Sequence, residues 1–175
     1  MSNIAGIPEV IRDFNLYLTG NRLGGTTGEV ALPDFEAITA TISGNGILGE
    51  YEAAVPGHFP SMAPEIPFRC INEDYFKMID PTQPIDITLR GSIQHTDPTT
   101  HGTGEVGMRV VMSGRPKTFA IGTVKQREGM DSKIVPELTR IIVELDGKER
   151  VALDKFNSVY RVNGVDILAK TRQLT

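Results

Sequence analysis

Tryptophan is absent, and cysteine occurs once, at Cys70. A single thiol cannot close an intramolecular disulfide, and a cysteine-based metal site within one chain is excluded. The neighbours of this thiol, Ile66-Pro-Phe68-Arg-Cys70-Ile71, predict a small buried hydrophobe rather than a reactive group. Aromatic residues make up only 6%. Sugar-binding platforms stack rings on such side chains, so their scarcity weighs against a carbohydrate-binding module. No apolar run approaches the roughly 20 residues that a membrane-spanning helix needs. The start, Met1-Ser-Asn-Ile-Ala-Gly-Ile-Pro8, lacks a basic segment followed by a continuous apolar one, so no secretory signal is read there. The expectation is a product of the cytoplasm that stays soluble, or leaves only within a larger particle.

Basic residues are also scarce where they would matter for nucleic acid. Residues 1–70 hold eight acids against Arg12, Arg22 and Arg69, and the first lysine is Lys77. The formal net charge of −4 thus sits in the first part of the chain. Tight binding of a polyanion needs clustered cations that neutralise phosphates, and no such cluster stands out. The charge fits a solvated acidic surface, or one that must not hold DNA.

What the sequence does have is turns and alternation. The 18 glycines and 11 prolines in 175 residues predict many short strands. At 39% hydrophobic and 23% charged, the chain reads as one globular domain over residues 1–175. Phe14–Thr19 predicts a strand, Gly20-Asn21 a turn, and Val30–Leu32 a short strand stopped by Pro33. In Glu36–Ser43, Ile38, Ala40 and Ile42 alternate with Thr39, Thr41 and Ser43, a period of two that predicts a half-buried strand. Residues 44–62 read as a long loop or arm punctuated by glycine and proline, of a length that is usually functional or mobile. Glu65–Ile71 predicts a strand. Asn72 predicts the N-cap of a short helix, Glu73–Ile79, which Pro81 ends.

The clearest strand is the next one, where Ile85, Ile87, Leu89 and Ile93 alternate with Asp86, Thr88, Arg90 and Ser92. Met108, Val110 and Met112 predict one face of another strand. Ser113-Gly114-Arg-Pro116 predicts a turn, Thr118–Arg127 a returning strand, and Met130–Lys133 a loop. Asp146-Gly147 predicts a hairpin between Thr139–Leu145 and Glu149–Lys155. Matching hydrophobic partners sets Val143 against Val151 and Ile141 against Leu153, which a three-residue connection would give. Asn163-Gly164 predicts a last turn, and Val165–Gln173 a short helix with a basic end. The sum is a mainly β protein, a β-sandwich or barrel-like domain with one or two short helices.

The same residues offer few chemical motifs. Gly44-x-Gly46-x-x-Gly49 matches a dinucleotide fingerprint literally, but that motif needs a helix immediately after it. Pro56, Gly57 and Pro60 leave little room for one. His95, Asp97 and His101 lie within seven residues and could ligate zinc. They support a second reading, a metal-dependent β-sandwich enzyme, although Pro98-Thr-Thr-His-Gly fits a polar turn better. No Gly-x-Ser-x-Gly elbow or phosphate loop occurs. No catalytic, metal or cofactor-binding residue is assigned, and no cofactor is expected.

The run Phe14-Asn-Leu-Tyr-Leu-Thr-Gly-Asn21 is followed, after a glycine-rich gap, by Gly28-Glu-Val-Ala-Leu-Pro-Asp34. The chain ends with Asp154-Lys-Phe-Asn-Ser-Val-Tyr-Arg-Val-Asn-Gly-Val-Asp166 and Ile-Leu-Ala169. With the Ile85–Gln94 strand and the Val135–Lys155 hairpin, these segments resemble the major tail tube family of contractile-tailed phages and R-type tailocins. The resemblance implies a structural subunit that is not an enzyme. It implies a β-sandwich whose inner sheet joins those of five other copies in a hexameric barrel, with rings stacked into a tube inside a sheath. The implied partners are further copies of the chain, the sheath protein, the tape measure, and the tube initiator and terminator proteins. DNA would pass through without tight binding. The implied location is the virion tail, assembled in the host cytoplasm. A secretion-type contractile injection system would share the fold.

On that reading Thr39, Thr41, Ser43, Asp86, Thr88, Arg90 and Ser92 are candidates to face the channel, and Ile38, Ala40, Ile42, Ile85, Ile87, Leu89 and Ile93 to face the core. Residues 44–62 become the candidate ring-to-ring arm, with Gly46, Ile47, Leu48, Tyr51, His58 and Phe59 as its contacts.

Overall fold

The computed structural model describes residues 6–175. It is mainly β, with two short helices. In chain order the elements are β1 (Ile7–Leu18), β2 (Asn21–Arg22), β3 (Thr39–Ser43), β4 (Glu50–Ala54), β5 (Ile66–Phe68), α1 (Glu73–Lys77), β6 (Ile85–Thr96), β7 (Thr103–Ala120), β8 (Ser132–Leu145), β9 (Lys148–Asp154), β10 (Val159–Val162), β11 (Val165–Asp166) and α2 (Ala169–Leu174). One nine-stranded antiparallel sheet runs β11-β10-β9-β8-β7-β6-β1-β2, with β5 also paired to β8. The hairpin β3–β4 stands apart as its own two-stranded sheet.

The long strands follow from their alternation. Ile85, Ile87 and Leu89 are buried while Asp86 and Arg90 are exposed. Val110 and Met112 are buried on the adjoining strand, and Met108 is packed against the core. β8 serves two neighbours in turn. Its first residues pair with β5 (Ile66↔Ile134), and its later ones pair with β9 (Ile141↔Leu153). Four strand spacings, about 19 Å laid flat, separate β1 from β9, yet Leu16 and Leu153 belong to one buried cluster. The sheet therefore wraps a single core, which Met62, Tyr75 and Met78 help to fill. Helix α1 begins as expected: the Asn72 side chain accepts from the Tyr75 amide at 2.9 Å, and Glu73 and Asp74 occupy its first turn. Tyr75 is carried into the core, and its hydroxyl donates to the Ala120 carbonyl at 2.9 Å.

Several elements differ from the sequence expectations. The 44–62 excursion is not a plain loop, since Glu50–Ala54 pairs with Thr39–Ser43 to make the detached hairpin. Ile38 is 46% exposed, Ala40 is exposed and Ile42 only half-buried, so the alternation there packs on no core; Ile93 is likewise half-buried. Val30–Leu32 forms only an isolated bridge, Ala31↔Glu65. Cys70 is exposed because β5 ends at Phe68 and the chain bends outward. The Ser113–Pro116 turn is absent, and β7 runs through it with register shifts at Ser113/Gly114 and Pro116/Thr118. A bulge accommodates a proline that a regular ladder would not. Gly114 is required there by close approach, since a Cβ would lie 2.1 Å from the Glu137 carbonyl oxygen. The returning strand expected over Thr118–Arg127 ends at Ala120, and the expected loop at Met130–Lys133 already contains the start of β8. The first hairpin turns on Thr19-Gly20, one residue earlier than expected, because Leu18 pairs with Asn21. Val165 and Asp166 belong to β11, so the last helix starts at Ala169.

Candidate functional site

The sheet face turned away from the core is built by the residues that alternate with it. On β6 these are Asp86, Thr88, Arg90, Ser92, Gln94 and Thr96. They stand opposite Ser113, Val111, Arg109, Gly107, Glu105 and Thr103 on β7. Asn15 and Tyr17 extend the face onto β1, and Arg140, Ile142 and Glu144 extend it onto β8. Of the channel candidates, Asp86, Thr88, Arg90 and Ser92 share this face. Thr39, Thr41 and Ser43 do not, because they lie on the detached hairpin.

Cations on the face are mostly neutralised in place. Arg109 contacts Glu144 at 3.1 Å. Arg161 forks onto Glu149 through two bonds, at 2.9 and 3.1 Å. Arg12 bonds Glu105, which also accepts from the Ser92 hydroxyl at 2.8 Å. Those donors, Ser92 first and then Arg12, hold the Glu105 carboxyl below its ordinary pKa. Arg140 stands opposite Asp154, and the Arg90 guanidinium lies 5.3 Å from the centre of the Tyr17 ring. At the upper end Glu9 accepts from Thr96 at 2.7 Å and Gln94 at 2.8 Å, and these bonds lower its pKa in that order. The exposed pairs add little to stability, while the Arg161–Glu149 fork is part-buried. Together they leave few cations positioned for a phosphate track.

The hairpin β3–β4 carries the arm candidates. Gly46, Ile47 and Leu48 form its tip, where Leu48 is fully exposed, and Tyr51 is 54% exposed. The tip glycines Gly44, Gly46 and Gly49 all have positive φ. The fingerprint-like spacing is thus a hairpin turn, with no helix behind it. His58 and Phe59 belong to the root instead. The His58 carbonyl accepts from the Ile38 amide at 2.9 Å, and the Phe59 ring meets Phe35 and Tyr160 edge to face.

The histidine cluster resolves into a hairpin loop. Asp97 accepts from the Thr99 amide at 2.7 Å and the Thr100 amide at 3.2 Å, which closes the β6–β7 connection. These bonds, Thr99 first, lower its pKa. The His95 ring fills the space over Gly6 and Gly104, where a Cβ would come within 2.1 and 2.6 Å of ring atoms. His101 is exposed. Among the described residues no group of three or more histidines, cysteines or acids is gathered as a metal site, and no helix is long and apolar enough to cross a membrane.

Sequence reading missed the unpaired edge of β1. Beyond Tyr17 and Leu18, which pair with β2, the outer side of β1 has no strand partner among the described residues. Ile7 and Val10 are each 56% exposed on it. A cleft of about 290 Å³ beside it is lined by Ile11, Phe14, Val30, Leu32, Leu89 and Met108. No period-two signal marked this stretch, because Ile7, Val10 and Ile11 stand at i, i+3 and i+4, a spacing that reads as helical, and Pro8 breaks the run.

Comparison with known proteins points to a structural role. The chain is 31% identical to the tail tube protein of Escherichia phage P2 over 173 residues, covering 95% of this chain and 96% of that one. The family model described as phage tail tube protein FII matches residues 8–174. The chain belongs to this phage tail tube family, whose members are structural proteins of the virion tail and not enzymes.

Proposed function

We propose that six copies of the chain close into a ring and that rings stack into the tube of a contractile phage tail, within a sheath. The observation that carries this reading is the open edge of β1. A long unpaired strand with exposed Ile7, Val10 and Ile11 is a liability in a monomer. Head-to-tail pairing with a neighbouring subunit removes it, and a rotation that closes generates a ring. A closed barrel of many strands leaves a lumen.

The outward face then becomes the bore. Its arginines are mostly tied to carboxylates, so DNA passes without a continuous cationic track. The hairpin β3–β4 reaches from one ring to the next. Further tail proteins, including a tape measure and the factors that start and end the tube, complete the assembly in the host cytoplasm. Negative-stain electron microscopy of concentrated protein tests the reading directly. Rings or hollow rods are expected, and a particle that remains monomeric at every concentration refutes it.

A further inference from the structure

The charge of the chain is segregated in a way that ring closure does not use. Between Arg22 and Arg69 there is no lysine or arginine, while Glu29, Asp34, Glu36, Glu50, Glu52 and Glu65 all fall in that stretch. The hairpin β3–β4 is therefore purely acidic, with Glu50 and Glu52 exposed beside Tyr51 and the fully exposed Leu48.

A surface of the opposite character lies where β7 ends and the 121–131 segment leads into β8. Phe119 and Ile121 are about half exposed, and Val124 is 80% exposed. Lys125, Arg127 and Arg69 are exposed nearby, and with the exposed acids Glu128 and Asp131 of the same segment they leave a net of one positive charge. The patch is one built unit. The Met130 amide donates to the Arg69 carbonyl at 2.7 Å, and the Thr123 amide donates to the Met130 carbonyl at 2.8 Å. The Ser132 hydroxyl, buried at the base, donates to the Ile121 carbonyl at 2.6 Å. Of these cations only Lys125 has a carboxylate partner among the described residues, the exposed Glu128 at 3.3 Å.

We infer that this apolar, cationic patch receives the hairpin of a second copy, Leu48 and Tyr51 seating against Phe119, Ile121 and Val124 while Glu50 and Glu52 face Lys125, Arg127 and Arg69. The inference rests on the ring-stack reading and names the acceptor that reading leaves open. Two features fit. Each surface lacks an internal partner for its apolar groups, and the charges are of opposite sign, so the contact is heterologous and propagates as an open stack. The like-charged alternative, hairpin to hairpin, sets Glu50 and Glu52 against their own copies and repels.

Reciprocal charge reversal tests it. One variant carries Glu50→Lys and Glu52→Lys; the other carries Lys125→Glu and Arg127→Glu. All four side chains are exposed, and circular dichroism confirms the fold of each variant. Each alone is expected to give rings but to lose the rods. Mixing the two variants in equal amounts is expected to restore rods of alternating rings, and so is combining all four changes in one chain. Raising salt to about 1 M, where screening acts within about 3 Å, is expected to break unmodified rods into rings.

Rods that survive either reversal overturn the inference. So do rods lost by the hairpin reversal and not regained with the reversed patch; rings still seen in that case leave the ring reading standing. Unmodified protein that forms neither rings nor rods removes both.

Discussion

Glu137 sits where the chain returns from the β3–β4 hairpin to the sheet. It accepts from the Ser61 hydroxyl, from the Met62 amide at 3.2 Å and from Lys117 at 3.4 Å. Partial burial opposes its charge, but these donors outweigh burial and hold the carboxyl below the usual glutamate value. A carboxylate with a lowered folded pKa stabilises the protein above its unfolded pKa, and that contribution fades as pH falls through the folded value. Glu137→Gln is expected to cost about 1 kcal/mol near neutral pH, the net worth of an ordinary hydrogen bond, since solvent screens the charge at this partly exposed site. The difference should shrink in acid. Chemical denaturation at about pH 7 and about pH 3 checks both halves, since a purely steric defect would persist at low pH. Little of this was legible in the sequence. Ser61 and Glu137 are far apart in the chain, and neither has a local pattern that announces the other. The helix cap at Asn72 was legible because the cap and the amide that donates to it lie three residues apart. The exposure of Cys70 was not legible, because hydrophobic neighbours do not reveal where a strand stops.

At the scale of elements, the β8–β9 hairpin separates what pattern can give from what it cannot. Hydrophobic matching placed Val143 opposite Val151 and Ile141 opposite Leu153, and that register is observed. The route to it differs. Leu145 pairs with Lys148 across a two-residue turn, Asp146-Gly147, and a bulge between Val143 and Glu144 in the pairing restores the match. Burial fixes the faces, and the bulge absorbs the odd residue. Both turn residues have positive φ, 54° and 69°, the conformation of a tight hairpin turn. Gly147→Val places a β-branched side chain in that region and is expected to cost about 1–2 kcal/mol, read as a lower denaturation midpoint with unchanged slope. The detached hairpin β3–β4 was not legible for the converse reason. Its alternation is real, but no core lies beneath it, so period alone could not say which side was covered. Its second strand, Glu-Tyr-Glu-Ala-Ala, has little apolar patterning at all.

For the whole molecule, the decisive feature is which backbone margins remain open. Composition and alternation made a β-rich fold legible. They could not show that β2 covers only the last residues of β1, because strand pairing depends on how the chain between residues 23 and 38 is laid across the core. That stretch makes isolated bridges at Thr26↔Phe68 and Ala31↔Glu65 instead of a strand beside β1. The upper part of β1 is left with exposed apolar side chains and, among the described residues, no strand partner on one side. Natural edge strands are blunted by charge, above all by lysine. Val10→Lys together with Ile11→Lys is therefore expected to leave the monomer folded, since both side chains are about half exposed, while abolishing ring closure. The change in stability should stay within about 0.5 kcal/mol, as for surface sites away from special features. Sedimentation velocity separates the outcomes. A well-folded variant that sediments as a monomer where the unmodified chain forms rings places the closing interface on this margin. A variant that still closes shows that the rings are joined through a different edge of the sheet.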